Sequence, residues 1–189
     1  MKKSLGARTL LYPTPVLIVG TYDRDGRPNA AAVAWGGICC SQPPSIAVAL
    51  RRATYTHGNI VARQAFTVSV PAESQIAVAD YFGLASGRDV DKFAATGLTP
   101  VKSDLVDAPY VKECPLVLEC RLTHTVEVGL HTQFIGEILD VKAEESVLGE
   151  RGRCDVEKVK PAMYIPDTQA YYGVGRYLGK AFSIGKQVS

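Results

Sequence analysis

Apolar and polar positions alternate most cleanly over residues 116–128, where Leu116, Leu118, Cys120, Leu122, Val126 and Val128 interleave with Glu119, Arg121, Thr123, Thr125 and Glu127. A period of two sends successive side chains to opposite faces, so this stretch predicts a long half-buried strand. His124 falls on its apolar side and is expected as a hydrogen-bonded core residue. Gly129 turns the chain into a second long strand over 132–142. Shorter β-branched runs predict strands at 16–22 and 28–35, joined by a tight turn through Asp25 and Gly26, and further strands at 45–50, 66–70 and 159–164. Helical spacing is best over 73–82, with Ile76, Ala77, Ala79 and Asp80 in phase and Gly83 as the stop. A shorter helix over 57–64 has Thr54 or Thr56 as its cap, and a third helical piece at 90–95 ends at Gly97. The rest of 85–109 is polar and irregular, an excursion over the surface of the kind that often carries function. The last 20 residues, with Tyr171, Tyr172, Tyr177 and Phe182 among glycines, have no period and are expected to wrap over a neighbouring surface. Roughly seven strands in hairpins with short helices predict a mainly β fold, a small antiparallel barrel carrying helical insertions.

Composition narrows the function classes. The chain has 189 residues, 47% hydrophobic and 21% charged, and its glycines and prolines are scattered with no linker-like stretch, which predicts one globular domain over 1–189. A formal charge of +2 argues against nucleic-acid binding by a strong basic field, so an acidic ligand would need a local pocket. No apolar run approaches the ~20 residues of a membrane helix. The first residues mimic a secretory leader, but Arg8, Pro13 and Pro15 break its apolar stretch. Five cysteines without a Cys-x-x-Cys suggest neither a disulfide framework nor a zinc ribbon, and point to a reducing cytoplasm. The adjacent Cys39 and Cys40 read as small buried side chains and not as redox thiols.

Dinucleotide, Walker, zincin and nucleophile-elbow motifs are missing. Gly173, Gly175 and Gly179 imitate a dinucleotide fingerprint with the third glycine one place late and no βαβ unit around it. Four clusters remain, each suited to a phosphorylated aromatic ligand. In Asn29, Ala30, Ala31, Ala32, Val33, Ala34 and Trp35, small side chains let a ring lie against the backbone with an indole at its edge. A packed core strand explains the same letters. Arg51, Arg52, Thr54, Tyr55 and Thr56 precede a helix start, where N–H groups and a partial positive charge suit a phosphate. A capped surface helix with solvated arginines is the alternative. Ser86, Gly87, Arg88 and Lys92 add a hydroxyl and two cations able to close over a phosphate or sit near a ring that becomes negative on reduction, unless they form a solvated loop. His131 stands at the mouth of the long hairpin.

Taken in order, these clusters resemble the flavin reductase-like, FMN-binding split-barrel family. The resemblance runs through Pro13, Pro15 and Val16, the Gly20 to Asn29 turn, Trp35, Pro43 to Ser45, Tyr55 and Thr56, Phe66 to Val70, Gly83 to Arg88 with Asp91 to Phe93, Phe134 to Glu137, and Gly179 to Phe182. It implies a six-stranded antiparallel Greek-key split barrel, a homodimer and one FMN per subunit near the dimer interface. By position it implies that Asn29, Ala30, Ala31, Ala32, Val33 and Trp35 line the flavin ring. Arg51, Thr54, Tyr55, Thr56, Ser86, Arg88 and Lys92 would surround the phosphate tail and ring edge, with His131 on the pyrimidine side and Tyr164 beside the ring. The alanines at 30–32 replace a hydroxyl residue common in the family, so contacts there would come from the backbone. The implied function is electron transfer through bound FMN, either from NAD(P)H as a flavin reductase or from a redox partner protein. Relatives of this barrel that hold haem or pyridoxal phosphate leave a binding or sensory module as the alternative.

Overall fold

A computed structural model describes residues 1–188 of the chain. Its strands are β1 (Thr14–Pro15), β2 (Leu17–Tyr22), β3 (Pro28–Val33), β4 (Gly36–Ser41), β5 (Pro44–Arg51), β6 (Ala65–Val70), β7 (Pro100–Lys102), β8 (Pro109–Val111), β9 (Leu116–Val128), β10 (His131–Ala143), β11 (Ala162–Ile165) and β12 (Ala170–Gly173). Four helices join them: α1 (Tyr55–Arg63), α2 (Ile76–Leu84), α3 (Lys92–Thr96) and α4 (Val156–Val159). Seven strands form one sheet in the order β3-β2-β6-β9-β10-β5-β4, and every pairing in it is antiparallel. The six strands from β3 to β5 all send apolar side chains into one core, which contains Leu17, Val33, Val48, Phe66, Leu118, Cys120 and Phe134, with Ile60 of α1 as a plug. β4 is added outside this barrel as an edge strand whose side chains from Gly37 to Ser41 are exposed. A second core lies outside β2 and β3, where Ile18 and Ala30 meet Ala79 and Phe82 of α2, Phe93 of α3 and Val111 of β8.

Several expectations change in detail. Thr54 is the cap of α1, its hydroxyl accepting from the His57 N–H, and Gln64 ends the helix at φ 55°. α2 runs through Gly83 to Leu84, preceded by a 3-10 turn at Glu73–Gln75, so Gly83 is not the stop. Instead it lies where a Cβ would touch Ala32 of β3. Asp91 caps α3 and Gly97 ends it at φ 71°. The strand expected over 159–164 begins later, because Val159 closes α4 and Lys160 turns at φ 47°.

His124 is exposed and bonds Thr123, contrary to its expected place in the core. β9 runs past the end of β6, whose pairing stops at Arg121, so beyond that point β9 has only β10 beside it and most of its side chains are left to water. Glu119 is completely buried and paired with Lys142, because β8 covers the outer face of β9 that the alternation would leave to water. Cys39 and Cys40 lie exposed on β4, whereas Cys114 and Cys120 are buried and burial pushes their thiols up to about 12. Of the final segment, β12 pairs with β11, and the residues beyond Gly173 leave most of their apolar side chains exposed.

Candidate functional site

Two cavities flank β3 on its outer side. One, of about 330 Å³, is lined by Ala31 and Ala32 of β3, Leu50 and Arg51 of β5, Ala53 to Thr56 at the start of α1, Phe82 to Ser86, Gly87, Arg88 and Lys92. The other, of about 630 Å³, is lined by Val16, Ala32 to Trp35, Arg51, Asp80, Gly83, Leu84, Tyr164, Gln169 and Tyr171. They share Ala32, Arg51, Gly83 and Leu84 as a common border. The volumes and the mix of apolar walls with a few polar groups are those of a small-molecule site.

The smaller chamber is built to hold an anion. The N-terminus of α1 faces it, with no acidic residue in the first turn and the hydroxyls of Thr54 and Thr56 beside it. Arg52 is turned away onto Glu127, to which its Nη2 donates at 2.6 Å, so Arg51 is the strand-end arginine that faces the ligand space. Arg88 donates to the Ala53 carbonyl at 2.9 Å and lies 5.5 Å from the centre of the Tyr55 ring. Tyr55 is itself held by Asp23, accepting its phenol proton at 2.9 Å. Burial works against ionisation of Asp23, but the Arg27 N–H, the Tyr55 hydroxyl and the Arg27 guanidinium outweigh it and hold the carboxyl below its ordinary range.

Lys92 reaches into the chamber from the buried start of α3. Its Nζ donates to the carbonyls of Ala30 at 2.9 Å and Phe82 at 2.8 Å, and an ammonium has a third proton to give. Burial lowers its pKa to about 8. Asn29 lies behind the chamber wall, donating to Thr56 Oγ1 at 2.9 Å, while its buried Oδ1 has no hydrogen-bond partner. Gly87 packs on that amide so closely that a Cβ would collide with Oδ1 and stand 2.9 Å from the Tyr55 ring. Asn29 and Tyr55 thus tie β3, α1 and the 86–88 loop into one cradle.

The larger chamber is aromatic. Trp35 and Tyr164 are on its walls, and Tyr164 packs against Tyr171 with ring centres 5.5 Å apart. Tyr171 donates to Asp80 Oδ1 at 2.7 Å, and burial together with that bond raises its phenol well above the usual range.

Of the residues singled out in the sequence, Asn29, Ala30, Arg52 and His131 line neither chamber. Asn29 and Ala30 stand just behind the smaller one through their bonds to Thr56 and Lys92. His131 opposes Arg51 across the β5–β10 ladder, so the two side chains share a face. Ala31, Ala32, Val33, Trp35, Arg51, Thr54, Tyr55, Thr56, Ser86, Arg88, Lys92 and Tyr164 come together around the pair of cavities. Asp80 and Tyr171 are additions. Asp80 interrupts an otherwise apolar helix, a signal the periodicity contains, but only the fold brings a tail tyrosine to it.

Residues 8–173 match the model of the flavin reductase-like domain. The chain belongs to this family. Among solved structures, flavoredoxin of Desulfovibrio vulgaris (Miyazaki F) is 59% identical over 98% of this chain and all of its own, with a TM-score of 0.94. Flavoredoxin from Methanosarcina acetivorans is 31% identical over the full length of both chains, with a TM-score of 0.93. A curated relative, the high-molecular-weight rubredoxin of Moorella thermoacetica, is 39% identical over 102 residues, which span 53% of this chain and 43% of that protein.

Proposed function

We propose that this FMN-binding redox protein seats the FMN phosphate between Arg51, Thr54, Thr56, Ser86, Arg88 and Lys92, and lays the isoalloxazine along Ala31 to Trp35 toward Tyr164. The observation that carries the reading is the shared border of the two chambers, which puts cations and hydroxyls at one end of a continuous β3 wall and aromatic side chains at the other. The small side chains of Ala31 and Ala32 keep that wall flat, and backbone groups of β3 replace the hydroxyl that they lack. The orphaned Oδ1 of Asn29 and the Gly87 contact fit a cradle whose loop must lie close to β3.

When bound, FMN supplies the hydride and electron chemistry, and its reduction leaves negative charge on the pyrimidine side of the ring. The chain supplies binding and electrostatics. Lys92, fixed by two carbonyls, holds its remaining N–H and its charge at the cradle, and Arg51 with His131 across the ladder brings further positive or donor character to the same face. No side chain is needed as nucleophile or general acid.

The protein works as a homodimer of the single domain over 1–189 and in the cytoplasm. The exposed edge of β4 with Ile38, together with exposed Val126, Val128 and Leu130 at the hairpin tip, supports an apolar subunit contact. Among the described residues no helix is long and apolar enough to cross a membrane. The donor we favour is NAD(P)H, as in a flavin reductase, with a redox partner protein as the alternative. Anaerobic mixing with NADH and with NADPH tests this: bleaching of the flavin bands by at least one is expected, and no bleaching by either leaves a carrier reduced by a partner protein.

A further inference from the structure

α2 carries no charged residue except Asp80, and that carboxylate is on the wall of the aromatic chamber. Among the described residues the chamber has one further charged side chain, Arg51. Arg51 also lines the anion cradle, where a seated phosphate shares its charge, as it does that of Lys92. Asp80 has no such compensation. No Lys or Arg pairs with it among the described residues, and its hydrogen-bond partner is the Tyr171 hydroxyl, which donates to Oδ1 at 2.7 Å. Tyr171 is itself on the chamber wall and packs on Tyr164, so the bond between α2 and β12 holds the carboxylate on that wall. Burial keeps the proton on the phenol, which leaves the negative charge with Asp80.

Charge is what changes when a flavin works. A neutral isoalloxazine that takes up a hydride, which is two electrons and one proton, becomes an anion. A fixed negative charge on the wall acts little on the oxidised ring and repels the reduced one, in a partly dehydrated site where charges are weakly screened. We propose that Asp80, held by Tyr171, lowers the reduction potential of the bound flavin below what the same chamber without this charge would give, so that reduced FMN is the less tightly held form. The proposal rests on the FMN reading above, which seats the isoalloxazine in this chamber. Tyr171 acts through Asp80 and is a positioning residue. The sign of the effect follows from the charge alone and is the same for every orientation of the ring.

The test is an anaerobic electrode titration of the FMN-loaded protein with mediators, followed by the flavin absorption bands, together with the affinity for oxidised FMN from quenching of its fluorescence. The midpoint potential relative to free FMN gives the ratio of affinities for reduced and oxidised flavin, at about 30 mV per tenfold for a two-electron couple. Asp80→Asn preserves the shape and an acceptor for Tyr171 but removes the charge. It should move the ratio about tenfold towards reduced FMN, an upward shift of about 30 mV. Oxidised FMN should bind within about threefold of the wild type, because the oxidised ring carries no charge for Asp80 to act on. Tyr171→Phe leaves the charge but frees the carboxylate to turn to water, so the ratio should move the same way by about threefold. An unchanged ratio in either variant, or a shift towards oxidised FMN, overturns the proposal. Tyr171→Phe carries the test where Asp80→Asn fails to fold. A wild-type protein that takes up no FMN is recognised before any potential is measured, and that failure belongs to the cofactor reading; FMN that is bound with a ratio untouched by the variants is a failure of this proposal alone.

Discussion

Lys92 is a cation with 5% of its surface exposed, two carbonyl partners and a pKa lowered by burial to about 8. Its two carbonyl partners hold the ammonium at the edge of the chamber that Lys92 lines, where we propose that the FMN phosphate shares its charge. On the proposed seating the ammonium attracts the phosphate of FMN below pH 8, and as the pH rises through about 8 the free protein loses that charge, so affinity is expected to fall. Titrations between pH 7 and 9.5 should show this slope. Lys92→Met should weaken FMN binding by about tenfold or more at pH 7 and flatten the slope, because one charge-assisted bond is gone. Cys40→Ala, on the exposed edge strand, should change neither. A second residue-scale effect concerns Asp23. Its lowered pKa means that its ionised form stabilises the fold above the ordinary carboxylate range, and that contribution is lost as the pH falls through the lowered value. Tyr55→Phe removes one of the bonds that lower it, so acid unfolding followed by circular dichroism should have its midpoint at higher pH than in the wild type.

At the scale of elements, β10 crosses the barrel where Gly136 meets Phe66. A Cβ at Gly136 would stand 2.6 Å from Phe66 Cζ and 3.0 Å from Cys120 Cβ, inside a core with no free volume to yield. Gly136→Ala should therefore cost about 1–3 kcal/mol and lower the melting temperature by roughly 2–12 °C. Gly175→Ala in the segment after β12, with nothing within 4 Å of the added methyl, should melt as the wild type does. The elements most legible in the sequence are the short β-branched runs, such as β2 and β6, whose residues are buried on both faces. Legibility fails where a distant segment covers a face. β8 buries Glu119, although it stands in a solvent phase of the alternation. The extension of β9 past the end of β6 exposes His124, although it stands in an apolar one. β4 escapes detection because it is an exposed edge whose only requirement is backbone pairing to β5.

For the molecule as a whole, the near-neutral charge conceals a local arrangement. Arg51, Arg88 and Lys92 come from β5, the 86–88 loop and the start of α3, and converge on one chamber, while Arg52, Arg63, Arg27 and Arg121 are consumed by carboxylates. The sequence clusters pointed to the cradle because helix starts, hydroxyls and cations are local signals. The Asp80–Tyr171 contact, between residues 91 positions apart, was not legible, since no local period encodes it. The same logic applies to assembly: the uncovered β4 edge and hairpin tip predict a sedimentation mass of twice the chain, and a monomer at micromolar concentration would remove the subunit contact from the account. The central claim is that the two chambers together hold FMN. It is tested most directly by the visible spectrum of the protein as isolated, followed by chromatography of the flavin released on denaturation. A two-banded flavin spectrum with FMN released at one per chain is the expected result; a colourless protein that takes up no added FMN, or one that releases only FAD, contradicts it.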